Sequence, residues 1–111
     1  MTKREGQDLI RGTLDLLILK TLSLEPMHGW GINQRIQQLS KGILEVNQGS
    51  LYPALQRLEY RGLVSTSWGT SDQRRRAKYY RLTRDGRNAL RAEVRSWRRY
   101  VGVVDGILEA T

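Results

Sequence analysis

Residues 47–64 read NQGSLYPALQRLEYRGLV and predict the helix around which the rest of the chain can be arranged. Four apolar side chains recur there at spacings of three and four residues: Leu51, Ala54, Leu55 and Leu58. At 3.6 residues per turn they form one apolar stripe along a helix. Such a stripe must face a core, so we expect the opposite face of this helix to remain free.

Two residues can begin this helix. Asn47 and Ser50 each carry a side-chain oxygen that can accept a hydrogen bond from a free N–H of the first turn. Pro53 favours Ser50, because a start at Asn47 would place the proline ring against the preceding turn. Gly62 suits the left-handed residue that ends a helix. We therefore predict a helix capped by Ser50 and stopped at Gly62.

The free face of this helix carries side chains that can meet base edges and phosphates in a DNA major groove. The candidate DNA-binding residues are Asn47, Gln48, Ser50, Tyr52, Pro53, Gln56 and Arg57. An ordinary solvated helix would show the same face. The neighbouring segments must therefore decide between the two interpretations.

Residues 9–24 predict a first helix, which ends before Pro26. Its apolar side chains fall on more than one face: Leu14, Leu16, Leu17, Ile18, Leu19, Leu22 and Leu24. A small core cannot cover both faces of one helix. We therefore expect one face to pack against something outside the domain, such as a partner subunit.

Residues 28–40 predict a second helix, with Ile32, Ile36 and Leu39 as its inner stripe. The short apolar run 43–46 is partly β-branched and is predicted as a single strand. A short helix followed closely by the helix of residues 47–64 is typical of a helix-turn-helix.

Residues 63–82 predict two strands, 63–69 and 76–82, joined by a polar turn. The turn and the start of the second strand hold four cations: Arg74, Arg75, Arg76 and Lys78. A hairpin that follows a recognition helix is typical of a wing, which lies along the phosphates or enters the minor groove. A solvated charged turn is the alternative, and the helix pair ahead of it favours phosphate contact.

The last segment predicts a long helix from Thr83, a good N-cap, to about residue 109, with Asp85 near the positive end of the helix dipole. Apolar residues follow a heptad spacing there: Leu90, Val94, Trp97, Val101, Val104 and Leu108. This seam predicts a dimer interface. Folding of the seam onto the first helix of the same chain is the alternative, and we expect both. Gly102 and Gly106 would let another helix approach closely.

Composition limits the class of protein. The 111 residues allow one domain, and the net charge of +8 with a sequence pI near 10.4 favours an acidic partner such as nucleic acid. Fifteen of the nineteen cations are Arg, which suits forked contacts to phosphate and guanine, although codon usage alone would produce the same bias. We assign residues 1–82 to DNA binding, with 1–8 as a flexible arm, and 83–111 to dimerisation within the same compact unit.

The sequence gives no indication of an enzyme, of a cofactor- or metal-binding protein, or of a membrane protein. Cysteine is absent, His28 is the only histidine, and no carboxylate pair or phosphate-binding glycine loop is recognisable. We therefore expect no enzyme activity, no cofactor and no metal, with His28 capping or packing at its helix start. With no leader and no apolar run of membrane-spanning length, we expect a cytoplasmic protein without membrane contact.

The chain resembles the PadR family of transcriptional regulators over almost its whole length. The resemblance rests on GTL at 12–14, LIL at 17–19, PMHGW at 26–30 with Ile32, GSLYPAL at 49–55, RLE at 57–59, GLV at 62–64, KYY at 78–80, LT at 82–83 and Gly86. Family proteins usually have Tyr where this chain has Trp30. Each piece is weak alone, but their order and spacing together are specific.

The resemblance implies a mainly α fold with a small β-wing: a winged helix-turn-helix with a long C-terminal dimerisation helix. It also implies a homodimeric repressor that binds an inverted-repeat operator in double-stranded DNA and is released by a small molecule. In some short members an aromatic residue of the last helix stacks on flat, cationic drugs in a pore between subunits. Trp97 is the candidate for a small aromatic or cationic effector, or it simply fills the dimer core.

A second function fits the same residues. A basic winged-helix protein that binds nucleic acid without sequence preference, as an architectural protein, would need only the cations of the wing and Arg57. Sequence-specific binding additionally needs Gln48, Ser50, Tyr52 and Gln56 to contact base edges. A wing that contacts another protein is a further alternative.

Overall fold

The structure, a computed structural model, describes residues 3–111, with side chains from residue 13 onward. Within this part of the chain the helices are α1 (Lys3–Leu24), α2 (Gly29–Leu39), α3 (Gln48–Tyr60) and α4 (Arg84–Leu108). The strands are β1 (Met27–His28), β2 (Val64–Thr70) and β3 (Arg76–Leu82). Four helices with a small antiparallel sheet are the fold class that the sequence predicts.

Helix α1 starts earlier than expected, at Lys3 instead of near residue 9. Of the predicted flexible arm 1–8, residues 1 and 2 lie outside the described residues, and 3–8 are helical. Helix α1 contacts α2, α3, β3 and α4 and thus lies at the centre of the domain. The largest fully buried apolar side chains are Ile18, Leu19, Ile32, Leu51, Leu55 and Leu58.

The sheet corrects one prediction. Residues 43–46 lie in a loop and not in a strand. The third strand is instead β1, whose Met27 and His28 pair with Tyr80 and Tyr79 of β3. The apolar run is explained by packing, because Val46 is buried and its N–H donates to the Asn33 side chain at 3.2 Å.

The start of α3 corrects another. Asn47, and not Ser50, is the N-cap, and its side-chain oxygen accepts from the Ser50 N–H at 2.9 Å. Pro53 therefore lies inside the helix and cannot bond the Gly49 carbonyl. Gly49 is exposed, so water can satisfy that carbonyl, and the cap stabilises the earlier start.

The end of α3 confirms the predicted glycine stop. Gly62 has a φ of 75°, its N–H bonds the Glu59 carbonyl, and the Leu63 N–H bonds the Leu58 carbonyl, each at 2.9 Å. This pair of bonds is the Schellman motif, in which a left-handed residue satisfies the last carbonyls of a helix. The chain then turns directly into β2.

Helix α4 is fixed to the same corner. Thr83 is its N-cap, accepting from the Gly86 N–H at 3.0 Å while donating to the Gly62 carbonyl at 2.7 Å. Gly86 packs directly against the Leu63 carbonyl, where a side chain would collide. From this anchor α4 extends for 25 residues, or roughly 37 Å at 1.5 Å per residue.

Candidate nucleic-acid interface

Helices α2 and α3 form the helix-turn-helix, with the free face of α3 directed outward. Gln48, Pro53 and Gln56 are exposed on that face, as predicted from the position of the apolar stripe. Asn47 is exposed too, but its side-chain oxygen is used in the cap. Ser50 is half-buried. The polar side chains left free for base edges are thus the two glutamines, together with Tyr52 beside them.

Tyr52 lies between the two helices. Its hydroxyl packs over Gly29, the first residue of α2, where an added Cβ would lie 2.6 Å from the hydroxyl oxygen. His28 caps α2, with Nδ1 accepting from the Gly31 N–H at 3.0 Å, as its position predicts. Gly29 at the start of α2 therefore provides the space in which Tyr52 lies beside the exposed face of α3.

Arg57 is directed towards α1. Its guanidinium donates to the Asp15 carboxylate at 3.2 Å, although both side chains remain partly exposed. An exposed pair of this kind contributes at most about 1 kcal/mol. The pair can therefore exchange for a phosphate, but Arg57 lies at the edge of the recognition face and not at its centre.

The wing is β2, β3 and the turn between them. The turn is closed by hydrogen bonds from the Ser71 N–H to the Arg75 carbonyl at 2.8 Å and from the Arg74 N–H to the Ser71 carbonyl at 2.9 Å. Arg74 has a φ of 58°, in the left-handed region. Within the described part of the chain, the exposed side chains of Arg74 and Arg75 form no ion pair.

The other two wing cations are already engaged. The Lys78 ammonium lies 3.4 Å from Glu59 of α3, which also accepts from the Thr66 hydroxyl at 3.2 Å. The Arg76 guanidinium lies over the ring of Trp68, 4.8 Å from its centroid. The four cations predicted to bind DNA thus form two classes: two that are free and two that contact neighbouring side chains.

A cleft of about 510 Å³ separates the wing from α2 and α3. It is lined by aromatic and basic side chains, among them Trp30, Tyr52, Arg75, Arg76 and Lys78. Burial raises the pKa of Tyr80 in its wall, and the nearby Glu59 carboxylate raises it further. The cleft combines positive charge with flat apolar surfaces, which suits a nucleic-acid strand.

The sequence pattern did not indicate Trp30, Gln34 or Trp68 as interface residues. Trp30 and Gln34 line the cleft, and Trp68 stacks on one of its cations. The sequence placed Trp68 in a predicted strand but did not give the register of the hairpin. Without the register, the contact between Trp68 and Arg76 could not be predicted. The only sequence feature that could have indicated this contact is a large aromatic residue in one strand of a hairpin whose other strand carries several cations.

The predicted dimer seam divides along α4. Leu90 packs against the core, and a groove of about 790 Å³ between α1 and α4 is lined by the seam residues Leu90, Val94, Trp97 and Val101. The start of the seam at Leu90 thus follows the alternative in which it folds onto α1, whereas Trp97 in the groove is 43% exposed. Towards the end of α4 the apolar side chains are open, with Ile107 69% and Leu108 76% exposed.

The described residues include neither a metal-binding cluster nor a membrane-spanning helix. No group of three or more His, Cys, Asp or Glu side chains lies close enough together there to hold a metal ion. No helix within residues 3–111 has both the length and the apolar character needed to cross a membrane.

A helix pair with an exposed polar face, followed by a basic two-stranded hairpin, defines a winged helix-turn-helix protein. The model of the "Transcriptional regulator PadR-like family" matches residues 18–92. The chain belongs to this family, and it is therefore a DNA-binding transcriptional regulator. Members of the family are regulators and, in general, not enzymes.

Several known proteins are similar to this chain in sequence or structure over nearly its full length. An uncharacterised protein of Lysinibacillus sphaericus is 29% identical over 92% of this chain and 94% of its own. The structure of a transcriptional regulator from Clostridium thermocellum superposes with a TM-score of 0.83 at 26% identity, covering 92% of this chain and 99% of the other. A PadR family transcriptional regulator from Eggerthella lenta gives 0.82 at 30% identity, covering 95% and 89%.

Proposed function

We propose that the protein is a homodimeric repressor that binds an inverted-repeat operator and is released by a small aromatic or cationic molecule. The observation that carries the proposal is the uncovered apolar surface of α4 beside a basic winged helix. A two-fold dimer through that surface places two recognition helices in a symmetric arrangement. Symmetric helices read symmetric half-sites.

The dimer is supported by the apolar side chains that one subunit leaves in water. Trp97, Tyr100, Val103, Ile107 and Leu108 are all exposed on α4. A stripe of this kind on a small domain marks an interface. The remaining seam residues, Leu90, Val94, Val101 and Val104, are half-buried and continue the same surface towards α1.

Base reading is assigned to Gln48, Tyr52 and Gln56, with Ser50, Asn47 and Pro53 shaping the start of the helix. An amide can form two hydrogen bonds with adenine in the major groove, and the phenol of Tyr52 adds a hydroxyl. Phosphate contact is assigned first to Arg74 and Arg75, which are free. Arg57 joins them by exchanging Asp15 for a phosphate.

The effector site is proposed at Trp97. This indole is 43% exposed and lines the groove between α1 and α4. Its flat face can stack on an aromatic or cationic ligand. A ligand placed between α4 and its partner would change the spacing of the two recognition helices, and this would release the operator.

The direct test is the selection of bound duplexes from a random-sequence DNA pool at physiological salt. We expect an enriched inverted repeat with half-sites about one or two helical turns apart. Binding without an enriched motif would replace the proposal with the architectural function. No binding to any duplex would instead indicate that the wing contacts another protein.

Single variants separate the two kinds of contact. Gln48→Ala should flatten the preference among duplexes, because it removes a base contact. Arg75→Ala should weaken binding to all duplexes alike and reduce the salt slope by about one, because it removes a phosphate contact. The assignment is wrong if Arg75→Ala changes the preference while Gln48→Ala does not.

A further inference from the structure

Trp68 and Arg76 are brought together by the register of the wing. Trp68 pairs with Lys78 and Thr70 pairs with Arg76, so Trp68 and Arg76 are diagonal neighbours on one face of the hairpin. Diagonal side chains on a twisted sheet lie within reach when both are long. The Arg76 guanidinium carbon accordingly lies over the Trp68 ring, 4.8 Å from its centroid.

The core does not explain Trp68. Its side chain is 61% exposed, and on the same face of β2 only Val64, near the base of the wing, is buried. An exposed cation–π contact contributes about 0.5–1 kcal/mol to stability. This small gain does not by itself explain why a large aromatic side chain is exposed to water at this position. Arg76, by contrast, lines the cleft between the wing and helices α2 and α3, as Tyr52 also does.

We propose that Trp68 is a positioning residue for DNA binding, which holds the Arg76 guanidinium in the cleft so that it contacts a backbone phosphate. The inference rests on the DNA-binding function proposed above. A guanidinium that lies over an aromatic ring still has N–H groups free, because it carries five donors. Those groups form the forked pair of hydrogen bonds that a phosphate accepts.

The contact between Trp68 and Arg76 also reduces the entropic cost of DNA binding. A free arginine loses much rotamer freedom when it is fixed on a phosphate. Arg76 has lost part of that freedom before DNA arrives, because the Trp68 face already selects its position. Among the residues that the structure describes, Arg74 and Arg75 at the turn have no aromatic ring in cation–π contact to fix their position. Each of them therefore loses more conformational entropy than Arg76 when it binds a phosphate.

The test is a double-mutant cycle of Trp68→Leu and Arg76→Ala, with the affinity for one duplex measured at several salt concentrations. Arg76→Ala should reduce the salt slope by about one for each wing that contacts DNA. Trp68→Leu should weaken binding by about threefold per wing with the slope unchanged, because the phosphate contact persists at a greater entropic cost. Trp68→Leu should have no further effect in the Arg76→Ala protein.

Trp68→Phe is the matched control, because it keeps an aromatic face and should recover most of the affinity that Trp68→Leu loses. The inference is overturned if Trp68→Leu binds like the original protein, or if its loss is as large without Arg76, which would indicate a structural role. That cycle remains decisive even if Trp68→Leu lowers the melting temperature. Failure of the original protein to bind any duplex would instead contradict the proposed function.

Discussion

Helices α3 and α4 each carry an apolar stripe, but only that of α3 is covered along its whole length by its own chain. Leu55 and Leu58 are completely buried, whereas Ile107 and Leu108 are mostly in water. Both stripes have the same helical spacing. Burial, and not pattern, therefore distinguishes a helix that builds the domain from one that is free to join two domains.

The difference arises from where each helix is anchored. Helix α3 packs against α1, α2 and β2 along its length. Helix α4 is held at its start by Thr83 and Gly86, and its far end extends beyond the core. Substitutions on α3 should therefore change the free energy of unfolding, and substitutions near the end of α4 should change association.

The largest effect is expected from Leu55→Ala. The side chain is fully buried, so its removal leaves a cavity and should lower the free energy of unfolding by about 3–4 kcal/mol. Leu108→Ala, the same change on α4, should cost the isolated subunit less than about 0.5 kcal/mol. Urea unfolding at a concentration where the protein is monomeric measures both, and equal losses would contradict the comparison.

The glycines of α4 provide a matched pair. Gly86→Ala should destabilise the fold by roughly 2–3 kcal/mol, because the new methyl collides with the Leu63 carbonyl and the Leu82 side chain. Gly102→Ala should stabilise it by about 1 kcal/mol, since a Cβ there meets open space and alanine favours the helix. Thermal melting of the two variants measures the difference.

The same pair tests whether a helix approaches Gly102 in the dimer. If Gly102→Ala weakens association, a partner helix packs against the glycine, as its position in sequence suggested. If association is unchanged, that face of α4 remains in solvent and the seam alone holds the subunits together.

Ile107→Ser addresses association directly. We expect the dissociation constant of the dimer to rise by at least about tenfold, because each subunit loses an apolar side chain that the proposed interface would bury. Tyr60→Ser is the control, since Tyr60 is even more exposed but belongs to α3. Sedimentation velocity over a concentration series measures both. Equal dissociation constants for Ile107→Ser and the original protein would place the interface elsewhere.

The smallest effect concerns pH. Burial first, then the Glu59 carboxylate and the Tyr52 phenol, raises the pKa of Tyr80 above its ordinary value of 10.0. The unfolded chain therefore loses this proton first, so stability is intact below about pH 10 and falls as the pH rises through the pKa of folded Tyr80. Urea unfolding of the original protein and Tyr80→Phe at pH 9 and 11 measures the effect.

We expect the original protein to lose more stability than Tyr80→Phe over that interval. Tyr100→Phe, on the exposed part of α4, removes a phenol without touching the core and serves as the control. A loss of the same size in Tyr80→Phe would show that other groups cause the decline.

Features that depend on nearby residues were predictable from sequence. The stop at Gly62, the cap at Thr83 and the hairpin of residues 63–82 each involve partners within a few residues or a regular alternation. The apolar stripe of α3 was predictable for the same reason, because helical spacing fixes which side chains share a face. The family resemblance then supplied the order of the elements.

Predictions that required knowledge of a distant partner failed. Residues 43–46 have the composition of a strand, but Met27 and His28 occupy the edge of β3. These two residues lie more than fifty positions before their β3 partners, Tyr80 and Tyr79. The start of α3 was mispredicted for a local reason: Pro53 favoured a later start, but Asn47, the other candidate cap, accepts from the Ser50 N–H three residues away. Packing overrode local preference in the first case, and one local preference outweighed another in the second.

By itself, the sequence determined a basic winged helix-turn-helix with a heptad seam on its last helix, because spacing and charge are properties of the chain. Only the tertiary structure decided which cations remain free for a phosphate. Arg57 meets Asp15, Lys78 meets Glu59 and Arg76 meets Trp68 through helix packing and strand register. Those contacts join residues 8 to 42 positions apart, whose distance in space is set by the folded core and not by their distance along the chain.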